Sequence, residues 1–484
     1  MKIRVNNKSK KKVVRKKSKV TKKNSKKRCK QKIDKFLAYQ FMLQLAIVMK
    51  RHFPEFVKQL SELSDHRKRP QYEVQELVMA VLLMFVFKRG SRNHADNTAN
   101  KINYRKNIEL IFKMKFPDLD TANILMKSLD IQELENIKKE LVAIMISRKV
   151  LHKFRIFGFY YNVTVDGTGV HSYYYEPYPE CPFKEFKSGK KIWTAYVLEA
   201  KIVCSNGFSL SIATEWVRNP REKDFDKQDC ELKAFIRLAK KMKKFYPRLP
   251  VCITADGLYP NITVFDICEN NSWKYIITLK DGNLKTVWEE IELLRPIKSG
   301  SIKSDNAKII ADTSVNEKYT GFQDIDYKNH KLNIVEAVIE KRSLKNKLQT
   351  QQERFVHVSN FKIKPEVLKE ISYEGRRRWK IENEGFNEQK NTGYNLKHKY
   401  SRTSFIATQN YYQCLQIAHL FNQLAYKNKI INKLIKENDT LKSYQEMVVS
   451  VIMVDDLIEN IGLIQKLLDK KNHKNLAKRS HEHL

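Results

Sequence analysis

The pattern of apolar and polar positions predicts helices in the first third of the chain and strands after it. Apolar residues recur at helical spacing in three early segments, 36–46, 73–87 and 131–146. From residue 156 the period changes to short apolar or alternating runs, which are typical of strands. The predicted order is strands at 160–165, 193–204 and 208–216, a helix at 230–245, a strand at 251–255, a helix at 262–269, a strand at 274–279 and a helix at 284–294. This order predicts an α/β fold, a mixed sheet flanked by helices.

Later regions complete the predicted organisation. Residues 297–345 are polar, with short alternating runs, and predict a β-rich insertion. A strand follows at 355–361, and 365–389 and 401–426 read as mostly helical. The predicted domains are a disordered basic tail at 1–35, a helical N-terminal region at 36–155, an α/β core at 156–296 and 351–430, the β-rich insertion at 297–350, and a helical C-terminal tail at 431–484.

The net charge of the chain indicates the class of partner that it binds. The chain has 92 Lys and Arg against 54 Asp and Glu, for a formal net charge of +38. Residues 1–35 alone hold 18 Lys or Arg and one acid, and the rest of the chain still carries +21. Such basicity favours a polyanionic partner, most simply nucleic acid. The region 36–155 could then grip DNA, mediate self-association or serve only as a packing domain.

Composition also excludes several classes of protein. The longest apolar run, 77–87, is too short to cross a bilayer, which takes about 20 residues, so it predicts a buried helix and no membrane partner. No apolar segment of a secretory signal peptide follows the charged N-terminus. The seven cysteines lack C-x-x-C spacing, so we expect no zinc finger and a reducing cytoplasm. No P-loop motif is present.

Two short segments share a pattern that points to chemistry. Residues 163–167 (VTVDG) and 253–257 (ITADG) each place apolar residues on one face of a strand and Thr and Asp on the other. Asp166 and Asp256 are expected at strand ends, each before a glycine that lets the chain turn. Acids in such positions could project into a shared cleft, although Asp-Gly is also a common turn dipeptide.

A third acid comes from the late helical region. On an α-helix, Glu382 shares a face with Arg378 and with two aromatic residues, Trp379 and Phe386, so we expect it on the buried side. Glu384 is expected on a more solvated face. A buried carboxylate is costly unless it is paired, here with Arg378, or binds a cation. Two aspartates and a glutamate form an oxygen-only set that suits Mg²⁺ or Mn²⁺, and two such ions can promote cleavage or joining of a phosphodiester.

With these motifs the chain resembles the DDE transposases of bacterial insertion sequences, specifically those whose RNase H-like core carries a β-rich insertion between the second Asp and the Glu. The resemblance covers about residues 150–430 and rests on segments 163–169, 254–260 and 378–398, with 227–231 also similar. The spacing is 90 residues from Asp166 to Asp256 and 126 more to Glu382. The resemblance implies that these three acids form a catalytic triad that binds two Mg²⁺ or Mn²⁺ ions.

The resemblance also implies residues that contact DNA, although this chain departs from the family signature at two positions. The family signature has Tyr, then Arg three residues later, Glu four later and Lys seven later. Gly375 and Gln389 stand at the Tyr and Lys positions, so Lys390 is the better candidate for the Lys. The expected DNA-binding residues are Arg376, Arg378, Lys390 and Lys397.

The implied function is transposition. The chain would bind the terminal inverted repeats of its mobile element, cleave DNA and transfer the 3′-OH ends to target DNA. Its expected partner is double-stranded DNA, on which it would form a homodimer, in the cytoplasm at the bacterial nucleoid. Two alternatives stay open: an RNase H-like nuclease without strand transfer, and a catalytically silent DNA-binding protein derived from a transposase.

Overall fold

The computed structural model describes residues 38–39, 41–42, 45–101, 103–220, 228–297, 301–310, 312–344, 350–427 and 441–454. The chain divides into two compact units, residues 1–125 with 421–484, and residues 126–420. The predicted basic tail at 1–35 lies outside the described residues. So does most of the predicted C-terminal tail, of which the described part, Leu441–Val454, is helical as expected.

Every regular element described in the first unit is helical. It contains a π-helical turn, Val48–His52, and helices α1 (Phe56–Ser61), α2 (Val74–Val86), α3 (Arg92–Ala99), α4 (Tyr104–Phe112) and the greater part of α5 (Leu119–Ser128). Helix α2 begins where the side chains of Glu73 and Glu76 form a reciprocal capping box. The side chains from Leu77 to Val86 are all buried, which confirms the predicted buried helix. Within the described residues, no helix is both long enough and apolar enough to span a bilayer.

The second unit combines helices with one large sheet. Its helices are α6 (Ile131–Ser147), α7 (Glu231–Phe245), α8 (Ile262–Asn270), α9 (Lys285–Leu294), α10 (Pro365–Arg377), α11 (Glu388–Asn391) and the greater part of α12 (Phe405–Tyr426), with a 3₁₀ turn at His152–Phe154 and a π-helical segment at Ile381–Asn387. Its strands are β1 (Tyr161–Tyr173), β2 (Phe183–Glu185), β3 (Lys191–Val203), β4 (Ser209–Val217), β5 (Val251–Ala255), β6 (Lys274–Thr278), β7 (Ile302–Ile310), β8 (Thr313–Tyr327), β9 (His330–Ser343) and β10 (Thr350–Ser359). The last described helix of the chain, α13, is Leu441–Val454.

The ten strands form a single mixed sheet. Their order is β2-β3-β1-β5-β6-β10-β9-β8-β7, and β4 pairs with β3. Strand β5 runs parallel to both β1 and β6, whereas the other pairs are antiparallel. The α/β class with a mixed sheet flanked by helices is therefore as predicted.

Local sequence explains several boundaries. Asn206 and Gly207, a pair typical of hairpin turns, lie between β3 and β4, and Gly207 adopts a left-handed φ of 88°. Strand β5 matches its predicted range because a fully buried apolar run is bounded by Pro250 and Asp256. Helix α8 begins after Asn261, whose side chain accepts the N–H of Val264 at 3.1 Å.

The strands of the predicted insertion continue the same sheet. Strand β10, nearly all of which lies in the predicted core, pairs antiparallel with β6, with His357 opposite Thr278, and the insertion strands β9, β8 and β7 follow outward. Helix α10 covers this junction, where Leu368 and Ile371 pack in one buried cluster with Tyr319. The β-rich insertion thus joins the core part of the sheet through β10.

Most of the described cysteines lie in the interior. The structure describes six of the seven, and all six are free thiols. Five of these are buried, and Cys230 is exposed. The buried thiols serve as small apolar side chains.

Candidate active site

Strand register places the two predicted aspartates at equivalent positions. In the parallel pair β1–β5, Thr164 lies opposite Thr254, and their hydroxyl oxygens are 2.7 Å apart. Asp166 and Asp256 each follow two residues later. Because side chains alternate with a period of two, both carboxylates project from the same face of the sheet as the two threonines. The structure therefore brings this predicted pair together.

The backbone around Asp166 differs from the prediction. Strand β1 does not end there but continues to Tyr173, and Asp166 pairs with Glu199 of β3. Gly167 is needed for a close contact rather than a turn, since a Cβ at this position would lie 2.5 Å from the ring of Tyr196. The expected strand end at Asp166 is wrong because pairing with β3 continues beyond the pairing with β5.

The second aspartate lies as predicted. Asp256 directly follows the last residue of β5. Its Oδ1 accepts the N–H of Leu258 at 2.9 Å, which stabilises the turn after the strand.

Burial and neighbouring charges set the acidity of Asp166. Burial raises the pKa of this carboxyl to about 6, and the negative charges of Glu231 and Asp256 act in the same direction. Arg378 opposes them, with its Nη1 3.2 Å from Oδ2. Because the ionised form of Asp166 is disfavoured here, the site would gain from an added cation.

Glu231 is a further acid at this site that sequence reasoning did not single out as a site residue. It is the first residue of α7, and its carboxylate accepts hydrogen bonds from the hydroxyls of Tyr196 and Tyr259, the latter at 3.1 Å. The available signal was segment 227–231, noted for its resemblance to the transposase family. Lys227 in that segment lies outside the described residues.

The third predicted acid lies in a π-helical segment. Residues Ile381–Asn387 form i→i+5 hydrogen bonds, which change the helical phase on which the face of Glu382 was predicted. The side chains of Glu382 and Glu384 are 31% and 32% exposed, so the predicted difference in their burial is wrong. Phe386 is buried as expected, but Trp379 is 58% exposed.

Each of the three predicted acids faces a basic side chain. The pairs are Asp166–Arg378, Asp256–Lys280 and Glu382–Lys390, with nearest N–O distances of 3.2, 3.6 and 3.4 Å. The predicted alternative, in which Glu382 pairs with Arg378, does not occur because Arg378 turns to Asp166. Glu384 pairs with Lys380 instead.

The donor set fits a metal ion only in part. Asp166 and Asp256 offer hard oxygen ligands at adjacent positions, which suits Mg²⁺ or Mn²⁺. Within the described residues, however, no group of three or more His, Cys, Asp or Glu is placed to hold a metal ion. The aspartate pair therefore suits a divalent cation, whereas Glu382 does not join it in this conformation.

A basic cleft adjoins the aspartates. Its volume is about 490 Å³, and its lining includes Lys280 and Arg378, the residues that contact Asp256 and Asp166. Arg376, Arg354 and the exposed ring of Trp379 also line it. Two of the four predicted DNA-binding residues thus lie in one cleft beside the candidate acids.

The other two predicted DNA-binding residues lie elsewhere. Lys390 pairs with Glu382, and the Lys397 side chain is exposed in the loop after α11. Gln389, at the family's Lys position, is fully buried and donates a hydrogen bond to Gln416 at 2.9 Å. Gln389 therefore cannot contact a phosphate, and Lys390 is the candidate for that contact.

Gly375, at the family's Tyr position, has a packing role. A Cβ there would overlap the ring of His357, so glycine is needed for α10 to approach β10 this closely. That approach places the end of α10, with Arg376 and Arg378, beside the cleft.

No protein-family model matches this chain, and no curated protein matches it either. The resemblance to DDE transposases is therefore one of motifs and their spacing.

Proposed function

We propose that the chain is a DDE transposase that cleaves DNA at the terminal inverted repeats of its element and joins the 3′ ends to target DNA. The observation that carries this proposal is the parallel register of β1 and β5, which sets Asp166 and Asp256 side by side next to a basic cleft. A cation-binding acidic centre within a basic surface is what phosphodiester chemistry on DNA requires.

The strand order supports an RNase H-like core within this proposal. Strands β4, β3 and β1 form an antiparallel set, and β5 and β6 follow in parallel. Helices α7 and α8 make the connections that lead into β5 and β6. Strands β7, β8 and β9 lie between Asp256 and Glu382 within residues 297–350, where the resemblance expects a β-rich insertion.

Each residue has a stated part in the proposed reaction. Asp166 and Asp256 would hold Mg²⁺ or Mn²⁺, and Glu382 would complete the site after leaving Lys390. When bound, two such ions supply charge stabilisation for an in-line displacement at phosphorus. Arg376 and Arg378 would bind backbone phosphates, and Arg378 would release Asp166 as it does so. A homodimer on double-stranded DNA would bring two ends together.

Cleavage assays on Asp166→Asn and Asp256→Asn test the proposal. With labelled terminal DNA and Mg²⁺, each variant is expected to lose at least about a hundredfold in cleavage, because losing a metal ligand exceeds the 10–100-fold effect of losing an outer partner. Asp326→Asn is the matched control, since that aspartate is 68% exposed and pairs with Lys331 at the surface. Full cleavage by either site variant would refute the role of that residue.

The separation of Glu382 from the aspartates favours a second candidate. Since no three-acid group occurs among the described residues, a catalytically silent DNA-binding protein derived from a transposase also fits. Nicking of terminal DNA that depends on Mg²⁺ would exclude it. Cleaved ends that are never joined to target DNA would instead support a nuclease without strand transfer.

A further inference from the structure

The edge of the sheet at β1, β2 and β3 exposes aromatic rings among lysines. Tyr174 and Tyr175 follow β1 and are 75% and 60% exposed, and Phe186, in the turn between β2 and β3, is 41% exposed. The exposed lysines of the same stretch are Lys184, Lys187, Lys190 and Lys191. We call residues 173–191 the aromatic tip.

Lysines of the aromatic tip lie over its rings. The Nζ of Lys190 is 4.7 Å from the ring centroid of Tyr174, and that of Lys184 is 5.3 Å from the centroid of Phe186. These distances are typical of cation–π contacts. The tip therefore presents a positive charge beside an exposed ring, the combination that binds the phosphate and the base of a nucleotide.

The aromatic tip is built on a regular scaffold. Phe183 of β2 lies opposite Trp193 of β3, and their ring centroids are 5.8 Å apart. The turn is closed by the N–H of Gly189, which donates to the carbonyl of Phe186 at 2.8 Å, and Gly189 has a left-handed φ of 75°. Phe186 is held on this hairpin, so its ring loses little entropy when a ligand binds, whereas Tyr174 and Tyr175 directly follow the end of β1.

A second basic segment continues the surface of the aromatic tip. The Nδ1 of His171 donates to the carbonyl of Lys397 at 3.3 Å, which joins β1 to the loop after α11. Lys399 in that loop places its Nζ 4.1 Å from the ring centroid of Tyr173, a buried residue next to Tyr174. Lys397, one of the expected DNA contacts, thus belongs to the loop that borders the tip.

We propose that the aromatic tip binds unpaired DNA, with nucleobases stacked on Tyr174 and Tyr175 and phosphates beside the neighbouring lysines. Nucleic acid is favoured over a protein partner because the exposed rings are interleaved with cations, so a ligand with flat aromatic faces and negative charges fits both. This inference goes beyond the proposed transposition reaction. It requires neither the metal nor the three acids.

Fluorescence anisotropy on the full chain tests this inference. The probes are a labelled oligothymidylate and an abasic oligonucleotide of equal length, which has the same phosphates but no bases. Elevated salt weakens the contribution of basic segments such as 1–35, and Mg²⁺ is omitted so that no cleavage occurs. The parent chain is expected to bind oligothymidylate about tenfold or more tightly than the abasic probe, because stacking adds affinity for each base.

The variants separate stacking from charge. Tyr174→Ala/Tyr175→Ala is expected to reduce the preference for bases to near unity, and Tyr174→Phe/Tyr175→Phe is expected to keep it. Phe159→Ala, a change at a 55% exposed ring outside the aromatic tip, is the control that should behave like the parent chain. Because both tyrosines are exposed, none of these variants should lose its fold, and circular dichroism checks this.

Two results would overturn the inference. One is a parent chain without preference for bases. The other is an alanine variant that retains the preference, and if that variant also changes its oligomeric state, the aromatic tip is assigned to self-association instead. Terminal-DNA cleavage is measured separately, so failure of the transposase proposal would leave the base preference unchanged.

Discussion

The acids on strands and the acid on a helix differ in how the backbone fixes them. Asp166 and Asp256 owe their proximity to the pairing of β1 with β5, where Thr164 lies opposite Thr254. Glu382 depends on helical phase, which the π-helical segment changes. Residue counting along paired strands is therefore a sounder guide to a carboxylate's position than counting along a helix.

Replacing Glu382 and Glu384 with glutamine, one at a time, tests this comparison most strongly. Glu382→Gln is expected to reduce Mg²⁺-dependent cleavage by at least about a hundredfold, as for the loss of a metal ligand. Glu384→Gln is the matched control, since that side chain is equally exposed and also pairs with a lysine. Single-turnover cleavage of terminal DNA measures both. The reverse pattern would move the assignment to Glu384.

Two glycine variants compare the packing of the helical region, at Gly375, with the packing at the end of β5, at Gly257. Gly375→Ala is expected to lower the free energy of unfolding by about 1–2 kcal/mol, because the new Cβ meets the buried ring of His357. In Gly257→Ala, next to Asp256, the nearest atoms to the new Cβ belong to the side chain of Lys280, which is 62% exposed and can move away. Its effect should stay within about 0.5 kcal/mol. Urea denaturation compares them, and equal losses would contradict this difference in packing.

The pH dependence of stability tests the burial of Asp166. Its pKa is raised to about 6 from 3.8, so its protonated form favours folding below about pH 4, and this contribution is lost as the pH rises through 6. Asp166→Asn removes the titrating carboxyl, so the variant does not lose this stability as the pH rises. Relative to the parent, the variant is expected to be about 1–2 kcal/mol more stable near pH 7.5.

The same comparison at low pH supplies the control. Near pH 4 the parent carboxyl is largely protonated, so the two chains should have similar free energies of unfolding. Thermal or urea denaturation at both pH values measures the difference. A variant that is less stable than the parent near pH 7.5 would show that the Arg378 ion pair outweighs the burial of the charge.

Removal of the lysine that faces Glu382 is expected to have the smallest effect. Lys390→Gln frees the Glu382 carboxylate, so Mg²⁺ affinity without DNA should rise by about two- to fivefold, since partly exposed ion pairs contribute roughly 0.2–1 kcal/mol. Lys397→Gln is the control, because its side chain is exposed in the loop after α11. Isothermal titration calorimetry measures both. Unchanged affinity in Lys390→Gln would mean that Lys390 does not hold Glu382 away from a metal.

Much of the fold could be predicted from local pattern. Strand β5 is predicted to the residue, and α7, α8 and α9 within one residue at each end, because apolar periodicity and turn residues coincide there. The repeated strand pattern at 163–167 and 253–257 also predicts that Asp166 and Asp256 lie close together, and the β1–β5 pairing brings them there. The bounds of the individual elements depend mainly on neighbours along the chain.

Other features depend on contacts that leave no local pattern. Gly167 suggests a turn, yet β1 continues because β3 offers hydrogen-bond partners as far as Tyr173. The role of Glu231 depends on two tyrosines, one 35 residues before it and one 28 after it. Gly385, within the π-helical segment, lies so close to the buried Lys201 side chain that a Cβ there would be 3.3 Å from its Nζ, a contact that no local pattern predicts.

The union of the insertion strands with the rest of the sheet has a mechanical consequence. Because β6, β10, β9 and β8 share one hydrogen-bond ladder, bending the outer hairpin against β6 would break several backbone hydrogen bonds together. Leu368 and Ile371 of α10 brace the same junction. The β7–β10 region is therefore expected to resist bending relative to β6. A force applied at its far edge would be transmitted to β6, the strand beside the one that carries Asp256.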